Sequence, residues 1–66
     1  MFRVAIYENN EVITTCDYED ITIAIHHITD HMTDKSLEDI GKNTYTWLVY
    51  EPITSTIIRR FTLKMC

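Results

Sequence analysis

Asp17-Tyr18-Glu19-Asp20-Ile21-Thr22-Ile23-Ala24-Ile25-His26-His27-Ile28-Thr29-Asp30-His31-Met32 decides the fold of this chain. Ile21, Ala24, Ile25, Ile28 and Met32 recur at helical spacing and line one side of a helix. Tyr18 extends that stripe backwards, and Asp17 reads as the N-cap, with Glu19 and Asp20 suiting the positive end of the helix dipole. The β-branched content is high for a helix, but the periodicity is helical and outranks propensity.

On either side of this segment the period changes to two. Phe2 to Tyr7 is rich in β-formers and reads as a first strand. Glu8-Asn9-Asn10-Glu11 reads as a tight turn, because Asn accepts positive φ at low cost. Val12 to Cys16 is a short β-branched second strand. After the helix, Ser36-Leu37-Glu38-Asp39 resembles a capping arrangement opening about one helical turn. Gly41 is the expected stop, with Leu37 and Ile40 held to the core. Thr44 to Tyr50 alternates as a third strand, Glu51 to Ser55 is a turn around Pro52, and Thr56 to Met65 is a fourth strand.

Hairpin, helix, hairpin predicts an α+β fold: a four-stranded mixed sheet in ββαββ order with one helix packed on one face. The simplest closure places the first and fourth strands side by side in the centre, parallel, and leaves the second and third as edges. A three-stranded βαββ unit lacking the second strand is the alternative. The element order resembles that of small immunoglobulin-binding bacterial domains in topology alone; no sequence family is recognised.

Sixty-six residues make a single small domain, 1–66, with a limited core. One Gly, one Pro and no low-complexity run argue against disorder. No apolar stretch reaches the roughly 20 residues that span a bilayer, and no signal-peptide pattern follows Met1. The expectation is a complete cytoplasmic protein with no membrane partner. Two cysteines cannot build a disulfide framework, and the predicted sheet sets Cys16 and Cys66 a strand length apart, so both are expected as free thiols.

Charge is uneven within a net of −4: nine acidic residues and one basic one lie between Glu8 and Asp39, whereas four basic residues and one acidic one follow Gly41. The acidic middle is either an ordinary solvated surface or an imitation of a phosphate backbone that would suit an inhibitor.

The predicted sheet has an uncovered face. Tyr7, Ile13, Leu48, Tyr50 and Ile58 fall on it and form the candidate protein-binding surface. Its bland reading is scattered surface apolar groups, which are normal. Arg3, Arg60 and Lys64 fall on the same face beside the tyrosines, a combination that also suits single-stranded nucleic acid, although net charge opposes it. His27 and His31 share a helix face near Asp30 and Asp34, but two imidazoles alone do not make a metal site. No catalytic triad, phosphate loop or paired carboxylates are visible, and Ser36 and Ser55 have no evident base. The sequence therefore predicts a small non-enzymatic protein-binding module without cofactor or metal. It would act through the sheet face or an edge strand and dimerise or cap a larger partner. Such a compact acidic chain suits an inhibitor or modulator encoded by a mobile element. Single-stranded nucleic-acid binding is the alternative.

Overall fold

The computed structural model describes residues 1–64. The chain forms β1 (Phe2–Glu8), β2 (Glu11–Tyr18), α1 (Ile21–Thr33), α2 (Leu37–Lys42), β3 (Tyr45–Glu51) and β4 (Thr56–Leu63). The fold is α+β, as the periodicity indicates, but the sheet is antiparallel throughout, in the order β2-β1-β3-β4. β1 and β3 are the central pair, and the expected parallel pairing of the first and fourth strands does not occur. The resemblance to immunoglobulin-binding domains therefore stops at the order of elements along the chain.

The side chains explain this order. β3 buries Tyr45, Trp47 and Val49 on one face and half-buries Thr46, Leu48 and Tyr50 on the other. A strand with that much to cover needs neighbours on both sides. β4 carries Arg59 and Arg60 in succession, one towards each face, and is exposed along most of its length. Such a strand suits an edge.

Val4, Ile6, Tyr45, Trp47 and Val49 form the sheet side of the core, against Ala24 and Ile28 of α1. Phe2, Tyr18, Ile21, Met32, Phe61 and Leu63 pack around them. Both edge strands carry a bulge. Ile6 pairs with Thr14 and Tyr7 with Val12, so Ile13 is the extra residue of β2. Val49 pairs with Arg59 and Tyr50 with Ile57, so Ile58 is the extra residue of β4.

The helix begins later than its sequence suggests. Asp17 and Tyr18 belong to β2, where they lie opposite Arg3 and Phe2. Asp20 is the N-cap, and its carboxylate accepts from the Thr22 N–H at 2.7 Å. In α2 the capping box forms as expected: Asp39 N–H donates to Ser36 Oγ at 3.1 Å, and Ser36 N–H donates back to the Asp39 carboxylate. Gly41 lies inside α2 rather than ending it, and Asn43 is the C-cap. Ile40 is half-buried, but Leu37 is 77% exposed and not held to the core. The end expected for the fourth strand, Met65, and one of the two cysteines expected as free thiols, Cys66, lie outside the described residues.

The β1–β2 turn uses Asn9 and Asn10 at φ of 53° and 69°, the left-handed pair that matches strand twist. Asn9 also ties this turn to the start of β3. Its backbone N–H donates to the Thr44 carbonyl at 2.8 Å, and its side-chain oxygen accepts from the Thr44 N–H at 3.0 Å. Asn9→Ala removes the side-chain bonds and puts a Cβ-bearing residue without a local polar partner in the left-handed region. It should cost about 1–2 kcal/mol in urea unfolding. An unchanged midpoint would show that this tie carries no stability.

Candidate functional site

Register defines the face that α1 leaves open. One row across the sheet is Asp17, Arg3, Tyr50 and Ile57; the next is Thr15, Ala5, Leu48 and Arg60; a third is Val12, Tyr7, Thr46 and Thr62. Paired residues share a face, so these rows stand on the side opposite Val4, Ile6 and Trp47. Neither helix covers this surface.

Three of the expected contact residues come together here: Tyr7, Leu48 and Tyr50 are half-buried on the central strands. The other two do not hold the expected phase, because each is a bulge residue. Ile13 lines a small groove on the helix side with Ile6, Trp47 and His31. Ile58 sits at the unpaired position of β4. Their neighbours Val12 and Ile57 take the places opposite Tyr7 and Tyr50, and both are more than half exposed. A short run of apolar alternation at Ile57-Ile58 and Val12-Ile13 is the signal that either residue of each pair can occupy the face.

Arg3 lies on this face but is engaged. Its Nε donates to Asp17 Oδ1 at 2.7 Å and its Nη2 to Oδ2 at 3.1 Å, a bidentate pair. The Asp17 bonds, with Tyr50 beside them, hold the guanidinium still more firmly in its charged form. The same contact holds the Asp17 carboxyl below its usual range. Arg60 and Lys64 line a shallow depression of about 500 Å³ at the Tyr7 end, with Leu48, Thr46 and Thr62. Thus, among the described residues, the open face carries three cations and one carboxylate on a chain whose net charge is −4. The other acidic groups lie in turns, at strand ends and in the helical layer.

The histidines are not gathered into a site. His27 Nδ1 is 3.0 Å from the Tyr18 hydroxyl, and the two rings meet edge to face at 5.1 Å. Burial, with Cys16 nearby, pushes the Tyr18 hydroxyl pKa up. No group of three or more metal-ligating side chains occurs among the described residues. Ser36 Oγ is taken up by the Asp39 carboxylate at 2.9 Å. The third strand, expected to accept a partner strand at an edge, is central; the free edges are those of β2 and β4. Among the described residues no helix is long and apolar enough to cross a membrane.

Three carboxylates tie stability to pH. Arg3 lowers the pKa of Asp17, the Ser36 hydroxyl and N–H lower that of Asp39, and the Thr54 N–H lowers that of Glu51. Each is depressed on folding, so its contribution is present above the unfolded carboxylate range, near pH 4, and is lost as pH falls through the folded value. The thermal midpoint should therefore drop on acidification from about pH 5 to about pH 2. Asp39→Asn should flatten that fall, and a midpoint that rises on acidification would contradict it. Comparison with protein-family models, with curated proteins and with solved structures gave no match.

Proposed function

We propose that this chain is a small non-enzymatic protein-binding module whose contact surface is the open face of the sheet. One observation carries the reading: Tyr7, Leu48 and Tyr50 stand together on the uncovered side, continued at the edges by Val12 and Ile57. Aromatic and aliphatic groups on a face with a polar rim are the composition of a protein interface core. Strand addition at an edge is less well supported, because both edges carry bulges that interrupt the pairing pattern.

Charge argues for the kind of partner. A face with three cations and one carboxylate is complemented by an acidic surface better than by a second copy of itself. Binding by occlusion is consistent with an inhibitor or modulator. Single-stranded nucleic acid is the competing reading, and the engagement of Arg3 by Asp17 weakens it by leaving few free cations on the face.

The test is capture from lysate of the producing cells by the tagged chain, with and without nuclease, beside its own sedimentation state. A stoichiometric protein retained after nuclease supports the module. Capture that disappears with nuclease, or binding to a single strand that falls steeply with salt, replaces it with the nucleic-acid reading.

A further inference from the structure

The cations of this chain are not evenly employed. Of six basic side chains, Arg3 holds Asp17, Lys42 holds Glu38 at 3.0 Å, and Lys35 lies 4.6 Å over the Tyr45 ring. The other three, Arg59, Arg60 and Lys64, lie on or just after β4, and none has a carboxylate within ion-pair distance among the described residues. Arg60 and Lys64 line the depression at the Tyr7 end of the open face, where no acidic residue contributes to the wall. A pair of cations with no neutralising carboxylate among the described residues, on an acidic chain, marks a place where negative charge is favoured.

The remaining wall suits an anion with a flat body. Thr62 stands between Arg60 and Lys64 on the same side of β4, and Thr46 pairs with Thr62 across the sheet. Arg60 and Lys64 are about 13 Å apart along the strand, so their long side chains can both reach the space above Thr62. Hydroxyls and charged N–H groups there match phosphate oxygens. The Tyr7 ring and Leu48 supply an apolar floor beside them, on which a planar group can stack. Asn10 and Thr44 close one end, held by the bonds between Asn9 and Thr44. At about 500 Å³ the depression exceeds what a bare phosphate fills and falls within the range of small-ligand sites.

We infer that this depression binds a small phosphate ester carrying a planar group, of the mononucleotide class. Arg60, Lys64 and Thr62 meet the phosphate, and Tyr7 and Leu48 meet the ring. The inference does not rest on the protein-binding reading; its ligand would occupy Tyr7 and Leu48, which that reading also uses, and leave the Tyr50–Ile57 end of the face free.

The test is an amide-shift titration of the whole chain with adenosine monophosphate, inorganic phosphate and a short oligothymidylate in parallel. Expected is saturable binding of the mononucleotide, with the largest shifts at Tyr7, Thr46 and Thr62. Arg60→Ala and Lys64→Ala should each weaken it by at least about tenfold, whereas Arg59→Ala, on the helix side of β4, should not. Tyr7→Leu should weaken the mononucleotide and leave inorganic phosphate unchanged. Absence of saturable shifts, equal affinity in the Arg60 and Lys64 variants, or binding of the oligothymidylate without the mononucleotide would overturn the assignment.

Discussion

Trp47→Ala should leave most of the chain unfolded at 25 °C in water. Trp47 is 0% exposed and is among the largest fully buried side chains, touching both the sheet and helix sides of the core. Truncating a buried Trp costs about 3–5 kcal/mol, through lost transfer free energy and the cavity left behind. A domain of this size rarely holds more than about 3–5 kcal/mol of net stability, so one such change consumes it. Val4, Val49 and Ile28, also almost fully buried, pack in the same cluster and cannot close the gap without moving both central strands. Circular dichroism and urea unfolding check this, with Trp47→Phe as the comparison. Phe keeps most of the ring and dispenses with an indole N–H that has no acceptor among the described residues. It should therefore cost far less than Ala. A cooperative transition near the parent midpoint in Trp47→Ala would mean that the core is not organised around this residue.

The same residue shows what the sequence makes legible. Tyr45, Trp47 and Val49 alternate with Thr46, Leu48 and Tyr50, so the face that each occupies follows from period two alone. The Asn9–Asn10 turn and the Ser36–Asp39 capping box are equally readable, because each is closed by residues within four positions. Strand order is different. Alternation says which side a residue faces but not which strand lies beside it, and the β1–β3 pairing spans the whole helical connection. The clue to the order was the polarity of β4: adjacent Arg59 and Arg60 put charge on both faces, which a central strand does not tolerate. Asp17 illustrates the opposite failure. Its type and position suit a helix cap, but a guanidinium fourteen positions earlier takes its carboxylate and extends β2 to Tyr18. At the candidate site the central residues were legible and the edge residues were not. One inserted residue per edge strand shifts the phase, and a bulge leaves only an ambiguous apolar doublet in the sequence.

Leu48→Asp should abolish partner binding and leave the fold in place. Leu48 is half-buried at the centre of the open face, with Ala5 beside it on β1 and Arg60 opposite on β4. The new carboxylate would lie directly across from that guanidinium, where an opposite-charge pair is favourable, and it would not enter the core on the other side of β3. Circular dichroism should therefore match the parent, with a small loss of urea stability. Binding is affected differently. A central apolar group that becomes charged must be desolvated against the partner, and central contacts of this kind carry about 2 kcal/mol or more, a loss of at least about thirtyfold in affinity. The added negative charge also opposes the acidic surface that the basic face should attract. Ile53→Asp is the control, since Ile53 is 87% exposed in the β3–β4 turn, away from the face. If a folded Leu48→Asp protein captures the same partner as the parent, the contact lies elsewhere. If capture is lost in Leu48→Asp and kept in Ile53→Asp, the centre of the open face is the site of binding. Strand addition at the outer edges of β2 and β4, which a side chain on central β3 does not reach, is then set aside.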